Sequence, residues 1–374
     1  MKQMIRACVA LPLAALGMSP LVRAYDVTDR FSVGAVLAGS GQCQGLSDDA
    51  GANDECKGAI PLQMELSLRP TENDEFFTKF GFATGNGLNS SDDRFRSPFV
   101  LATWAADLED DVEDINGRSR DYLLTGWYKH NFRMNDESSL GLSFGIIDST
   151  DYLGENAYAN DEFTQFMNEA FVNNTQSFLP SYDAGGAVAW DSGNWSLRGV
   201  VMNVGENDNG NEYNFLGATV GYGAENSQGE GNYRLTVTTT NDKFTNESGT
   251  GDESLLGVGL SFDQQLGDHL GAFTRIGWQD DDAAVTYETL VSGGLDINGG
   301  LWSRSDDNIG VGLAWLDGGN LDVDETYVFE TYYRAVFGDH IAVTADVQWM
   351  SDKYNSGGDD AEGWIFGLRA TSEF

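Results

Sequence analysis

Residues 364–374 have the sequence WIFGLRATSEF, and their side chains alternate in character from one residue to the next. Trp364, Phe366 and Leu368 fall on one face of an extended chain, and Arg369 falls on the other. A period of two residues is the repeat of a β-strand, in which successive side chains point to opposite sides. Because one face is apolar and the other is mostly polar over about ten residues, this segment predicts one strand of a transmembrane β-barrel.

The same alternation recurs through the chain and predicts about sixteen strands. An even number lets a single chain close an antiparallel barrel with both ends on the same side. The expected fold is therefore all-β, a 16-stranded antiparallel transmembrane barrel, with residues 84–120 left unassigned. The strands are expected at residues 29–39, 59–69, 75–83, 121–132, 138–148, 183–191, 195–203, 211–224, 231–240, 254–264, 270–279, 286–297, 307–316, 326–337, 340–350 and 362–374.

Aromatic residues stand at the ends of many apolar faces, which suits the two lipid–water boundaries of a membrane barrel. A secreted all-β sandwich or propeller would also alternate, but it would not need aromatic bands at both ends of its strands. The aromatic residues in question are Trp195, Trp278, Trp315, Trp349, Trp364 and Phe374.

The N-terminal segment 1–24 has the features of a signal peptide, with Lys2 and Arg6 before an apolar run and a small-residue cleavage site at its end. We therefore expect the barrel domain to cover residues 25–374. Export places Cys43 and Cys56 in an oxidising compartment, where a short disulfide-closed loop is expected and two reduced thiols are the alternative.

The composition argues against several classes of function. The 374 residues carry a formal net charge of −38, with 21 basic side chains, which argues against binding to nucleic acid. Only three histidines are present, so a zinc site or a histidine-based catalytic triad is not expected. We expect no enzymatic activity, no cofactor and no metal site, although the sequence leaves open whether acidic loops bind divalent cations.

Residues 148–182 break the alternation and form a connection of about 35 residues between two strands, a length typical of functional loops. Phe163, Phe166, Met167 and Ala170 recur at helical spacing and predict a short amphipathic helix. In a barrel of this size, a long loop that folds inward narrows the channel.

This loop also carries a resemblance to a known family. The segments Asp148-Ser149-Thr150-Asp151 and Asn156-Ala157-Tyr158-Ala159-Asn160-Asp161-Glu162, followed by Thr164-Gln165-Phe166 and Asn173-Asn174, resemble the carbohydrate-selective porins of Gram-negative outer membranes (OprB type). The final strand with Gly367-Leu368-Arg369 and Phe374 is similar too. The resemblance implies a sixteen-stranded barrel, a constriction formed by the inward loop, and diffusion of monosaccharides or similar small solutes. The strongly acidic chain departs from the family pattern.

Strand parity places several arginines on polar faces, where they avoid the cost of about 2–4 kcal/mol for a cation at the bilayer midplane. We expect them to face loop carboxylates across the lumen, or alternatively to brace the loop. The arginines are Arg198, Arg234, Arg275, Arg334 and Arg369, and the carboxylates are Asp148, Asp151 and Asp161. Loop side chains that suit sugar hydroxyls and ring faces are Tyr152, Asn156, Tyr158, Asn160, Gln165 and Asn168.

The sequence therefore predicts an outer-membrane porin for passive diffusion of small polar solutes, with sugars as the expected cargo. A general or cation-preferring porin is the alternative, because strong negative charge enriches cations near a channel mouth. The expected partners are small polar solutes, outer-membrane lipid and lipopolysaccharide, and a homotrimer remains open.

Overall fold

A single antiparallel sheet closes on itself in the computed structural model, which describes residues 25–49, 54–89, 97–99, 101, 108–357 and 360–374. Each strand pairs with its neighbours in the chain, and the last strand pairs with the first. The strands are β1 (Phe31–Asp49), β2 (Glu55–Leu68), β3 (Asp74–Thr84), β4 (Leu123–Asn135), β5 (Ser138–Ile147), β6 (Asp183–Ser192), β7 (Trp195–Val204), β8 (Tyr213–Asn226), β9 (Gly229–Thr240), β10 (Leu256–Gln265), β11 (Leu270–Gln279), β12 (Tyr287–Asn298), β13 (Asn308–Gly318), β14 (Val323–Phe337), β15 (Ile341–Tyr354) and β16 (Ala361–Glu373).

The barrel closes between β16 and β1. Phe366 lies opposite Cys43 in this ladder, and the pairing runs on to the last residue of the chain. The Phe374 N–H donates to the Ala35 carbonyl oxygen at 2.9 Å, and the Ala35 N–H donates to the Phe374 carbonyl oxygen at 3.1 Å. A short strand, Tyr25–Thr28, pairs with the start of β1. Because no strand edge remains open along this seam, the backbone polar groups of the sheet are satisfied internally, as a bilayer requires.

The two faces of the sheet differ as the alternation predicts. In β16, Leu368 points outward and is 59% exposed, whereas the adjacent Arg369 points inward and is 0% exposed. Val343 and Leu260, on β15 and β10, also lie on the outer face and are half-buried among their neighbours. An exposed apolar exterior around a polar interior is the arrangement of a membrane barrel. The prediction of a 16-stranded antiparallel barrel is confirmed, and the sandwich and propeller alternatives are wrong.

The connections differ in length at the two ends of the barrel. The end that carries both termini has turns as short as residues 193–194 and 227–228. The opposite end has the long connections 85–122, 148–182 and 241–255. Short turns at one end and long loops at the other are typical of outer-membrane barrels, in which the long loops are extracellular.

Helical structure is sparse in this molecule. The α-helix Glu169–Val172, called α1, has four residues, and no helix within the described ranges is long and apolar enough to cross a membrane. Cys43 and Cys56 lie opposite each other in the β1–β2 ladder and form a disulfide. The expected signal peptide, residues 1–24, lies outside the described residues.

Candidate functional site

The connection 148–182, called the inward loop below, folds into the barrel and packs on the inner wall of β11 to β14. Phe166 and Phe171 are each 0% exposed and belong to one buried cluster with wall residues. The Phe166 ring lies 5.5 Å from that of Phe273 on β11 and 5.1 Å from that of Tyr332 on β14, measured between centroids. Burial of these rings ties this part of the loop to β11 and β14 by the hydrophobic effect.

The helix predicted around residues 163–170 is wrong in its extent, because within that range only Glu169 and Ala170 belong to a helix, α1. The Glu330 carboxylate on β14 accepts hydrogen bonds from the backbone N–H groups of Met167 at 2.7 Å and Asn168 at 3.0 Å. An N–H that donates to a side chain from a distant strand cannot also make a good bond to a carbonyl four residues back. The expected burial of the apolar set is nevertheless found, since Met167 is 1% exposed and Ala170 is 0% exposed.

Arg275 on β11 is fully buried beneath the inward loop. Its guanidinium donates to the carbonyl oxygens of Phe171 and Gly154, the latter at 2.9 Å, and to Asn160 Oδ1 at 3.2 Å. One side chain thus holds three separate points of the loop, which suits the five donors of a planar guanidinium.

Arg369 on β16 acts on the loop in the same way. It is 0% exposed and donates to the carbonyl oxygens of Glu162 and Gln165, the latter at 2.9 Å. Both arginines therefore brace the loop through its backbone carbonyls. For these two residues, the contacts favour the interpretation that the arginines brace the loop. They do not favour the interpretation that the arginines face loop carboxylates across an open lumen.

Arg198 pairs with a carboxylate of the adjacent strand, and Arg334 pairs with one two strands away. Arg198 on β7 lies 2.9 Å from Asp191 Oδ1 on β6, and Arg334 on β14 lies 3.9 Å from Glu373 Oε1 on β16. These contacts do not involve the three predicted loop carboxylates.

Arg234 on β9 joins the wall to the loop. Its guanidinium lies 2.6 Å from Asp263 Oδ2 on β10 and 3.4 Å from Glu155 Oε2 in the inward loop. The loop partner is thus an acid that the sequence pattern did not single out.

The amide side chains of the inward loop mostly fasten it in place. Asn156 Nδ2 donates to Ser261 Oγ at 3.1 Å on β10, and Asn168 Nδ2 donates to Gln348 Oε1 at 3.0 Å on β15. Both asparagines are buried. They were predicted as solute contacts, but hydrogen bonds to the wall occupy their amide groups.

Gln165 closes a tight turn within the loop. Its Oε1 accepts from the backbone N–H groups of Asn160 at 2.7 Å and Asp161 at 3.1 Å, and its Nε2 donates to the Ala157 carbonyl at 3.0 Å. The Asp161 carboxylate in turn accepts from Thr164 Oγ1 at 2.8 Å. This turn holds Asn160 and Asp161 at the edge of the loop.

The two loop tyrosines differ in their surroundings. Tyr152 is 7% exposed and packs in an apolar cluster with Phe77 and Trp127, so its ring is not available to a solute. Tyr158 is half-buried and lies over Gly271 of β11, where any side chain larger than hydrogen would collide with its ring.

A cavity of about 420 Å³ remains between the inward loop and the inner wall of β1, β2, β3 and β16. Of the predicted residues, Asp148, Asp151, Asn160 and Asp161 line it, and none of the five arginines does. Among the described residues, the basic side chain in this lining is Lys79 of β3. The carboxylates in the lining are Glu65, Asp148, Asp151, Asp161, Glu162, Glu169 and Glu373.

Lys79 and Glu65 were not predicted as site residues. The Lys79 ammonium lies 3.5 Å from Glu65 Oε1, and both side chains are largely buried in the wall. Strand parity offered a signal for Lys79, because Phe76 and Phe82 of the same strand are on the outer face. The wall of β2 and β3 that faces the cavity therefore carries charges of both signs.

Asp148 begins the inward loop and is held by its neighbours. Its Oδ1 accepts from the Thr150 N–H at 2.9 Å, from Thr150 Oγ1 at 2.7 Å and from Ser181 Oγ at 3.1 Å. Burial, with a smaller contribution from the nearby Asp151 carboxylate, raises the pKa of Asp148 to about 7. Its charge therefore changes near neutral pH.

Two glycines of the wall allow the loop to approach closely. Gly259 of β10 and Gly277 of β11 lie directly under the Asn174 side chain, and a Cβ at either position would collide with its amide. Glycine at these inward-facing positions lets a loop side chain rest against strand backbone.

A second connection also enters the barrel, within the 84–120 segment left unassigned. Phe99 and Leu101 are buried in the same cluster as Phe166, and the Leu101 carbonyl accepts from the Glu169 N–H at 3.2 Å. In the sequence, the apolar residues of this otherwise polar stretch were the signal that could have indicated its burial. Residues 90–96, 100 and 102–107 lie outside the described part.

Comparisons with known proteins agree with this architecture. Residues 110–374 match the family model of the carbohydrate-selective porins, OprB family. An uncharacterized protein of Aquifex aeolicus (strain VF5) is 28% identical over 301 residues, which cover 80% of this chain and 84% of that protein.

Solved structures share the fold at low sequence identity. The high-pH structure of Pseudomonas putida OprB has a TM-score of 0.70 at 16% identity and covers 92% of this chain and 94% of that chain. The outer membrane channel DcaP of Acinetobacter baumannii has a TM-score of 0.55 at 9% identity and covers 94% of this chain and 99% of that chain.

Proposed function

This chain belongs to the OprB family of carbohydrate-selective porins, and we propose that its solutes are selected between the inward loop and the facing wall of β1 to β3. It is an outer-membrane porin for small polar solutes, in agreement with the prediction from its sequence. A porin performs no reaction chemistry, so the width, wetting and charge of its narrowest part determine what passes.

The observation that carries this proposal is the cavity that the docked loop leaves beside Glu65 and Lys79. Arg275, Arg369 and Glu330 hold the loop against β11 to β16, Met167 packs with Ala38 of β1 and Ala59 of β2, and the cavity remains beside these contacts. A solute that crosses the barrel would therefore pass along the wall that carries Glu65 and Lys79.

The lining suits a sugar in its chemistry. Thr150, Asn160 and Thr164 supply groups that hydrogen-bond to hydroxyls, while Phe163 and Phe178 supply aromatic surface. Small-molecule sites commonly combine apolar walls with a few polar groups, in volumes of about 300–1,000 Å³.

A cation-preferring pore is the second candidate. The carboxylates of the lining favour it, because a narrow passage of one sign concentrates the opposite ion. The two candidates differ in their response to glucose. A sugar-selective constriction holds glucose long enough to block ionic current, whereas a general cation pore does not.

Single-channel recording in planar bilayers tests this proposal. We expect added glucose to reduce the ionic current of the wild-type protein, and we expect Asp151→Asn to weaken both the block and the cation preference. Asp136→Asn, in the exposed turn between β4 and β5, is the matched control and should leave both unchanged. Glucose block that is identical in all three proteins would place the selective contact elsewhere.

The homotrimer stays a prediction for this protein. Most oligomers are closed, symmetric assemblies of identical subunits, and a trimer is one of them. Chemical cross-linking in isolated outer membranes should give a ladder that ends at three copies if the trimer forms.

A further inference from the structure

We propose that residues 178–182, called the mouth segment below, form an apolar platform at the extracellular end of the passage, on which the ring of a pyranose sugar stacks. The pore should therefore retain cyclic sugars better than open-chain polyols of similar size. This inference rests on the proposed function, because it assigns a solute contact to the same passage. The position of the segment, the contacts of its backbone and the side chains that it places along the passage carry this inference.

The mouth segment is the last part of the inward loop, immediately before β6. Because β6 begins at the end of the barrel that carries the long loops, the segment lies at the extracellular end. Phe178, Leu179 and Tyr182 all line the cavity, and each is half-buried. A solute that enters from outside would therefore meet this segment before it reaches Glu65, which lies near the periplasmic end of β2.

The backbone of the mouth segment is fastened by two neighbouring parts of the chain. The Pro180 carbonyl accepts from the Ser149 N–H at 3.1 Å and from Ser149 Oγ at 2.6 Å. Asn116 Nδ2, from another extracellular loop, donates to the Ser181 carbonyl at 2.9 Å and to the Tyr182 carbonyl at 3.3 Å. Because these contacts engage the carbonyl groups of the segment, its apolar side chains are the surface that it offers to a solute.

Both ends of the mouth segment adopt a left-handed backbone conformation, which bulky residues rarely take. The φ angle is 36° at Phe178 and 61° at Tyr182. Such a conformation is unfavourable for a residue with a Cβ, and it persists only where the surrounding structure imposes it. The hydrogen bonds to the carbonyls of Pro180 and Ser181 impose it here. Strained residues of this kind cluster at ligand sites, so the strain agrees with a binding role for the segment.

The barrel wall holds one side of the Phe178 ring. The ring packs edge-on against that of Phe215 on β8, with centroids 6.2 Å apart. A Cβ at Gly257 of β10 would lie 3.0 Å from Cε1 of Phe178, so glycine makes room for the ring against the strand. A ring that is already fixed loses little conformational freedom when a solute stacks on it, which favours binding.

A pyranose ring matches this surface in its chemistry. Its C–H groups form an apolar face that an aromatic ring can cover, while its hydroxyls project from the edge and stay free to form hydrogen bonds. An open-chain polyol carries similar hydroxyls but has no rigid apolar face. It also loses more conformational freedom when it is held in one shape.

Partners for the sugar hydroxyls lie in the same lining. Thr150 and Thr175 both line the cavity. Thr150 Oγ1 donates to Asp148 Oδ1 at 2.7 Å, and Thr175 Oγ1 donates to Gln176 Oε1 at 2.7 Å. A hydroxyl that donates its proton keeps acceptor capacity on its oxygen, so both threonines can accept from a sugar hydroxyl.

The size of the preference follows from the energy of one aromatic contact. Ring contacts of this kind change an affinity by about two- to tenfold. We therefore expect glucose to block the ionic current at a concentration about two- to tenfold lower than mannitol does.

The test is single-channel recording of the full-length protein in planar bilayers, with glucose and mannitol as blockers. Phe178→Leu keeps an apolar side chain but removes the flat ring, and Phe178→Tyr keeps the ring. Phe132→Leu, at a position that is 46% exposed on the outer face of β4, is the matched control. The comparison of the two solutes in the wild-type protein tests the proposal even if Phe178→Leu does not insert.

Glucose should block at a lower concentration than mannitol in the wild-type protein, in Phe178→Tyr and in the control, and this difference should disappear in Phe178→Leu. Equal blocking concentrations in the wild-type protein, or an unchanged difference in Phe178→Leu, would overturn this inference and leave the sugar porin intact. Ionic current that neither solute blocks would instead overturn the proposed function.

Discussion

Replacing Arg275 with lysine keeps a positive charge under the inward loop but removes the geometry that holds it. The guanidinium contacts the loop at Gly154, Asn160 and Phe171. A lysine ammonium is a compact point charge on a flexible stem, so we expect it to retain one of these three contacts.

The loss is then two charge-assisted hydrogen bonds. A hydrogen bond to a charged group contributes about 1.5–3 kcal/mol. We use the lower value, because the cost of desolvating the buried charge offsets part of this gain. The docking free energy of the loop should fall by about 3 kcal/mol, which raises the population of the undocked loop by roughly a hundredfold.

Single-channel recording measures this directly. We expect Arg275→Lys to show noisier open-channel current and weaker glucose block than the wild type, with little change in the cation-to-anion permeability ratio. The barrel should remain folded, as judged by the heat-dependent shift of its mobility on a denaturing gel. Arg133→Lys, at an exposed position near the end of β4, is the control.

The opposite pattern would refute this reasoning. If Arg275→Lys were as quiet as the wild type while Arg275→Met changed only ion selectivity, the charge of Arg275 would matter and its bracing contacts would not. Arg275 would then act on solutes through its electrostatic field and not through its contacts with the loop.

Further expectations concern pH, packing and processing. Because burial raises the pKa of Asp148 to about 7, this carboxyl is mostly neutral below that pH and charged above it. The cation preference of the channel should therefore rise between about pH 6 and pH 8, and Asp148→Asn should abolish the step in reversal-potential measurements. Gly277→Ala should push the Asn174 amide away from β11, destabilising the loop by about 1–3 kcal/mol and making the current noisier, whereas an unchanged recording would contradict that contact. If residues 1–24 are a signal peptide, N-terminal sequencing of protein from the outer membrane should begin at Tyr25, and a start at Met1 would contradict cleavage.

The fold could be predicted from sequence because each strand carries its own signal. Alternation is local, so β3 and β12, for example, were placed within one residue of their observed ends. The bilayer adds a second constraint, since it requires an apolar outer face and a closed set of hydrogen bonds.

The conformation of the inward loop could not be predicted in the same way. Its apolar spacing correctly identified Phe166 and Met167 as buried. No helix forms over residues 163–168, and Asn168 is extended, because Glu330, more than 160 residues away in the chain, takes the N–H groups that a helix would use. A contact over that separation leaves no local pattern.

The candidate site was predicted in part for a similar reason. Parity correctly placed Arg275 and Arg369 on the inner face, but parity does not say which partner a side chain meets there. The partners are loop carbonyls, which every residue has and which no sequence pattern distinguishes. Lys79 and Glu65 had the right parity too, yet their pairing depends on the register of β2 and β3.

Two successive residues of β2 test most directly whether the inside of the ring is the path of the solute. Gln63 lines the cavity, and Met64 lies on the outer face with 39% exposure. Each is changed to cysteine in turn, and a membrane-impermeant, positively charged thiol reagent is added during single-channel recording. A drop in conductance with Gln63→Cys and no change with Met64→Cys is the predicted result. A drop with Met64→Cys alone would contradict a lipid-facing exterior around a hydrated passage.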